Sequence, residues 1–274
     1  MINVIAIDNL RGIPFSAKLG LSLISYYAIA ALFFFIPTAL VVAELATSFP
    51  NKGGVYVWVK EAFGDFYGFI TIWLQWIYNV VWYPIILTFV AANFATMINP
   101  SLEKNNLYMW LTITILFWAC TFINYYGLKV SSIISTIGAT IGTLLPMLVI
   151  TLLGFKWFID GNPSAMDLSL SSLSIQPSNL KHLSIFCFII FGLIGIEMSA
   201  VHADEVDTPK SAYPKAILQS SIIIFVSLIL STLAVSLVVK ESDLSVTTGL
   251  IQAFIIIFHR YHIDYLIPYL TICI

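Results

Sequence analysis

Phe191-Gly192-Leu193-Ile194-Gly195-Ile196-Glu197 lies inside the apolar run from about Leu183 to Val201, and its reading decides how the rest of the chain is organised. Two weak helix formers three residues apart sit deep in a segment of membrane-spanning character, and a carboxylate follows almost at once. A plain anchor helix has no use for either feature. Glycine lets the backbone leave the helix. The freed N–H and C=O groups then need partners, which lipid lacks but a polar solute or water-filled cavity supplies. The stretch points to an interrupted helix lining a solute site. The competing reading is that Gly192 and Gly195 let another helix pack closely while Glu197 pairs with a polar neighbour, since small residues are common at helix contacts in membranes.

Composition settles the class. With 59% hydrophobic and only 9% charged residues, and a mean hydropathy of +0.96, the chain has too little polar surface to cover a soluble globule. It reads as an all-α polytopic membrane protein, because its apolar runs approach or exceed the ~20 residues that cross a bilayer and lack the period-2 alternation of barrel strands. The expected spans are 21–45, 67–98, 107–125, 132–158, 182–201 and 215–239, with partial spans at 1–18 and 263–274, all in a single transmembrane unit over 1–274. The formal charge of −2 and the absence of a basic tract argue against nucleic acid as a partner. Cys120, Cys187 and Cys273 fall in apolar runs without paired spacing and read as small buried hydrophobes. No cofactor or metal site is expected. The acidic residues of His202-Ala203-Asp204-Glu205-Val206-Asp207-Thr208-Pro209-Lys210 have neither a calcium-loop glycine nor zinc-type histidine spacing, so they read as a solvated face.

In chain order, Met1 to Ile7 is a short apolar run before Asp8-Asn9-Leu10-Arg11, Gly12 and Pro14. It lacks the basic region and cleavage site of a signal peptide. It is either an interfacial N-terminus or the second half of an interrupted first helix. Pro37 marks a bend in the next span, and Glu44 at its exit faces headgroups or water. Pro50-Asn51 and Gly53-Gly54 form a turn before an amphipathic segment with Tyr56, Trp58 and Lys60, which lies in the interface or folds back toward the pore. Part of the cluster Trp73, Trp76, Tyr78, Trp82 and Tyr83 reads as an interfacial aromatic belt. Gln75 and Asn79, four residues apart, share one helical face that another helix or a ligand must satisfy. A turn at Tyr125-Tyr126-Gly127-Leu128-Lys129 precedes a span whose Ser131, Ser132, Ser135, Gly138, Gly142 and Pro146 permit close packing. The segment from Asp160 to Ser178 is a polar loop, and Leu250 to Phe258 is apolar but too short to cross.

Several motifs recur in a specific order. They are Phe35-Ile36-Pro37, Ala43-Glu44-Leu45-Ala46-Thr47, Gly53-Gly54-Val55-Tyr56-Val57-Trp58-Val59, and Ile194-Gly195-Ile196-Glu197-Met198-Ser199-Ala200, followed by His202, Glu205, Pro209 and Tyr213-Pro214. In that order and spacing the chain resembles the amino acid/polyamine/organocation transporters, most closely the bacterial glutamate/γ-aminobutyrate antiporter branch. The resemblance implies a LeuT-like fold of inverted repeats, with helices one and six unwound at mid-membrane. It places the break of helix one near Ile2 to Ala6 and that of helix six at Phe191 to Glu197. It further implies substrate contacts from Ile2, Asn3, Val4, Asn79, Phe191, Gly192, Leu193, Ile194 and Gly195, with Phe191 as a gating aromatic and Glu197 as the proton-coupling carboxylate. The Gly-x-Gly usual in helix one is replaced by Ile2-Asn3-Val4-Ile5. On this resemblance the chain covers the second half of helix one through the start of helix eight and looks truncated.

The function so implied is secondary transport in a bacterial inner membrane: exchange of an amino acid such as glutamate for its decarboxylated product, with protons as a candidate co-substrate. The alternatives are a non-transporting remnant or structural membrane subunit, and a lipid-modifying membrane enzyme. The last would need a constellation of catalytic side chains at one interface that the sequence does not show, so no enzymatic activity is expected. Oligomeric state is left open.

Overall fold

A computed structural model describes residues 2–49, 53–125, 128–205, 209–245 and 248–273. The expected Pro50-Asn51 turn, Tyr126-Gly127, residues 206–208 of the charged loop, and the side chains of His202, Asp204, Glu205 and Cys273 lie outside the described residues. Every regular element among those described is helical, and six helices are long and apolar enough to cross a membrane. The protein is an all-α, multi-pass membrane protein.

The N-terminal segment is two short helices, α1 (Ile2–Ile7) and α2 (Gly12–Ala17). The expected break near Ile2 to Ala6 is displaced. Residues 2–7 stay helical, and the chain leaves the helix at Asp8 and Asn9. Asn9 causes this locally, since its Oδ1 accepts the Arg11 N–H at 3.0 Å, a side-chain turn that competes with the helix ladder.

The second span runs Gly20–Ser48 and contains α3 (Leu23–Ala30) and α4 (Ile36–Ser48) on either side of a π-helical turn at Ala31–Phe35. Pro37 lacks an N–H and its ring clashes one turn back, and the wide turn absorbs both defects. The fifth span repeats the device, with a π turn at Thr140–Leu144 before Pro146, between α8 (Leu128–Ala139) and α9 (Leu145–Ile159). Between the second and third spans, α5 (Val55–Phe63) resolves the alternatives left for it by folding back. The Gly53 N–H donates to the Val201 carbonyl at 3.4 Å. At Gly54, with φ +52°, a Cβ would meet the Val201 backbone nitrogen at 3.3 Å.

The long α6 (Asp65–Ile98) and α7 (Asn106–Tyr125) follow, then α10 (Leu180–Gly192), α11 (Pro209–Val238), the short α12 (Gly249–Tyr261) and α13 (Ile267–Cys273). Helix α11 is the central post, packed against α9, α4, α1, α2 and α12. Helix α7 fully buries none of its residues and packs along α6, where the Tyr108 hydroxyl donates to the Ala91 carbonyl at 3.2 Å. Cys120 and Cys187 are exposed, against expectation. A run apolar enough for the bilayer need not face protein, because lipid is as apolar as a core. Of the small residues expected to permit close packing on the fifth span, Pro146 is buried, while a Cβ at Gly138 would meet nothing within 4 Å. The tight crossing is at Gly154, where an added Cβ would lie 2.5 Å from Ala234 Cβ and 2.9 Å from its Cα.

Helix α12 is too short to span, yet Leu250, Ile251, Ala253, Phe254, Ile257 and Phe258 are buried, and Gly249 seats on Pro14. Its end is tied to the exit of α9. Tyr261 donates to Asp160 Oδ2 at 2.7 Å, Lys156 pairs with the same carboxylate at 2.8 Å, and Arg260 donates to Asn162 at 3.0 Å. The Lys156 and Tyr261 hydrogen bonds hold Asp160 below its ordinary carboxylate range.

Two outcomes follow. Gly154→Ala forces α9 and α11 apart and lowers folding stability by about 1–3 kcal/mol, the usual cost of overpacking, measurable as resistance to unfolding in detergent. Equal stability would remove the crossing from the account. Because the Asp160 value is depressed on folding, its contribution is present above the unfolded value and fades as pH falls through the folded one. The melting temperatures of wild type and Asp160→Asn therefore converge below about pH 4. A gap constant down to lower pH would count against the tie.

Candidate functional site

Helix α10 stops at Gly192. The Leu193 N–H still reaches the Ile189 and Ile190 carbonyls at 3.1 Å, and a 3₁₀ helix resumes over Ile196–Glu205. Between them Gly195 takes φ +130°, open to glycine and strained for any other residue. A Cβ there would meet Ala6 Cβ at 3.1 Å and Ile7 Cγ1 at 3.4 Å, so the interruption of this helix is pressed onto the end of α1. The Gly195 N–H donates to Glu197 Oε2 at 3.2 Å, so the carboxylate caps an amide freed by the break. Gly192 has nothing within 4 Å of a built Cβ, which rules out the close-packing explanation at that position.

A cavity of about 380 Å³ opens beside this junction. Gln75 and Asn79 line it from α6, Val55 from α5, Ala6 from α1, and Phe191, Ile194, Gly195 and Glu197 from the broken helix. The polar face expected from the Gln75/Asn79 spacing is thus turned to the cavity. Gln75 also donates to Met198 Sδ at 3.7 Å. A second cavity of about 290 Å³ includes Asn9, Arg11, Phe188 and Gly192 in its lining. Ala6, Tyr78, Trp82, Phe191 and Ile194 line both spaces. The Tyr78 and Phe191 rings, with centroids 5.7 Å apart and planes at 55°, form the partition. Glu197 lies on one side and Arg11 on the other.

Of the residues expected at the site, Asn79, Phe191, Gly192, Ile194, Gly195 and Glu197 are brought to these two spaces. Leu193 is buried away from them. Ile2, Asn3 and Val4 also stand clear: Ile2 is exposed, Val4 is buried, and Asn3 turns its Nδ2 to Ser220 Oγ of α11 at 3.4 Å. Sequence reasoning missed Tyr78 and Trp82 by assigning them to an interfacial belt. Residues 75, 78, 79 and 82 follow an i, i+3, i+4, i+7 stripe, the signal that would have placed them on the amide face. Arg11 and Ala6 carried no comparable pattern.

Two interrupted helical segments packed against each other beside a cavity that Gln75, Asn79 and Glu197 help to line suit a membrane transporter rather than an anchor. The family model described as amino acid permease matches residues 4–274, and the chain belongs to that family. It is 53% identical over its full length to an uncharacterized transporter of Legionella pneumophila, covering 59% of that protein. It is 28% identical over 95% of its length to a glutamate/gamma-aminobutyrate antiporter of Lactococcus lactis, covering 53% of it. A probable agmatine/putrescine antiporter of the same species is 26% identical over 87% of the chain, which covers 50% of that relative. The chain thus spans about half the length of the curated relatives it matches. These relatives are transporters, and none supports the membrane-enzyme alternative.

The two glycines separate cleanly by experiment. Gly195→Ala, strained in φ and tight against Ala6, lowers stability by roughly 1–3 kcal/mol, whereas Gly192→Ala leaves it unchanged within error in the same unfolding assay. Equal effects would mean that the close approach at Ala6 is not what demands glycine.

Proposed function

We propose that the chain forms the substrate-gripping part of a secondary amino-acid antiporter in a bacterial inner membrane, exchanging an acidic amino acid such as glutamate for its decarboxylated amine product. The observation that carries this reading is the placement of Arg11 and Glu197 on opposite sides of one aromatic partition, with the two helix interruptions between them. A solute with a carboxylate at one end and an ammonium at the other is matched by that polarity. The Ile194 carbonyl at the interruption suits the ammonium, and Asn79 offers an amide from the facing helix. Ala6 and Ile7, rather than Ile2 to Val4, supply the α1 wall.

Phe191 leaves nearly half its surface, 49%, uncovered at the partition, and its rotation joins or separates the two spaces. That makes it the gate for alternating access. Glu197 is the coupling group, since a proton taken up there competes with its hydrogen bond from Gly195. The names of the Lactococcus relatives support the substrate class, and the bacterial origin of the Legionella relative supports the setting. The alternative reading is a non-transporting structural membrane subunit.

The purified chain in proteoliposomes decides between them. Labelled glutamate entering against internal γ-aminobutyrate supports exchange, and inertness of a folded chain supports the structural reading. Within an active protein, Asn79→Ala lowers exchange about tenfold, equal to ~1.4 kcal/mol. Glu197→Gln flattens the pH profile of exchange, and an unaltered profile would remove the coupling role from Glu197.

A further inference from the structure

Asp8, in the interruption between α1 and α2, takes no part in the cavities described above. Its residue is only 6% exposed. Ser227 Oγ of α11 lies 3.1 Å from both of its carboxyl oxygens. Among the described residues no lysine, arginine or histidine forms an ion pair with it. Tyr27 of α3 is the titratable group that faces it, neutral and buried. Arg11 of its own segment lines the neighbouring cavity. Glu197 is engaged at Gly195, and α11 carries no titratable side chain between Lys215 and Lys240. Among the described residues, no hydrogen bond or ion pair joins it to Lys181, His182 or Cys187 of α10 or to His259 or Arg260 of α12.

Counting hydrogens goes further than burial. Ser227 Oγ is 2.7 Å from the Ile223 carbonyl and 3.1 Å from that of Ile224, besides its two contacts to Asp8. A hydroxyl owns one hydrogen. Its neighbours on α11 give theirs to the carbonyl one turn back, Ser221 to Ile217 at 2.6 Å and Ser231 to Ser227 at 2.5 Å. The shortest Ser227 contact has the same form. With the serine hydrogen so committed, an ionised Asp8 would meet the serine lone pairs with its own, buried and without a cation. A proton on the carboxyl turns that repulsion into a hydrogen bond from Asp8 to Ser227.

We propose that Asp8 is a proton-binding site, separate from Glu197, that ties the interruption of the N-terminal helix to α11 when the carboxyl is neutral and releases it when the proton leaves. It goes beyond the transport reading and does not require that the chain carry any solute.

Infrared difference spectroscopy of the whole chain in lipid nanodiscs tests it without a transport assay. At about pH 6, where exposed carboxylates are ionised, the wild type shows a carboxylic-acid C=O stretch that Asp8→Asn loses and Glu197→Gln keeps. If Asp8→Asn does not fold, Ser227→Ala decides: the band moves to the frequency of a carboxyl with no partner. A wild type without the band, a band that survives Asp8→Asn or disappears in Glu197→Gln, or a Ser227→Ala spectrum with the band unmoved overturns the proposal. So does a band abolished when sodium chloride replaces choline chloride, which would make the site a sodium site.

Discussion

The contact between Gly195 and the Ala6–Ile7 end of α1 is the constraint from which the rest of the site follows. Peptide groups outside a helix cannot face hydrocarbon, so an interrupted membrane helix needs a polar setting at the point of interruption. Here that setting comes from a carboxylate two residues away, a second interrupted segment pressed against the first, and the amide-bearing face of α6. Glycine permits all three, because its backbone adopts φ +130° and leaves room for Ala6. The cavity is the space left when a bent chain is packed beside straight ones.

Two short helices hold the segments on either side of this junction. Helix α5 returns from the loop between the second and third spans and docks its preceding glycine pair on Val201, midway along the resumed 3₁₀ helix. Helix α12, too short to cross, covers α2 through Gly249 and Pro14 and is tied to the exit of α9 through Asp160. Each uses glycine for close approach and burial for strength, with its charged contacts kept at the rim. The chain thereby keeps polar interactions either in water or around the two interruptions.

Class and helix number were legible in composition and run length because the bilayer imposes both. The break in the sixth helix was legible too, since two glycines and a carboxylate in an apolar run have few other uses. Less legible was which glycine mattered: Gly192 is merely the last residue of its helix, while Gly195 carries the strain and the contact, a distinction that depends on what lies opposite. The interruption of the first segment was misplaced because it turns on one Asn9 side chain bonding Arg11, a local competition that hydropathy does not register. The aromatics at 78 and 82 were hidden by their resemblance to an interfacial belt. Cys120 and Cys187 were misread for a plainer reason: in a membrane protein, apolar and buried are separate properties.

The hydroxyls of α11 have a mechanical consequence. Ser220 receives Asn3 from one side of the first interruption, and Ser236 donates to the Ala17 carbonyl beyond the other at 2.8 Å. One continuous rod thus grips both halves of a divided one, at points separated by more than four turns of helix. Bending the divided rod at its gap must sacrifice one grip, whereas rocking rod and post together sacrifices neither. The first and seventh spans are therefore fastened together on both sides of the gap, and the gap itself is spanned from a different helix, by Gly195 against Ala6.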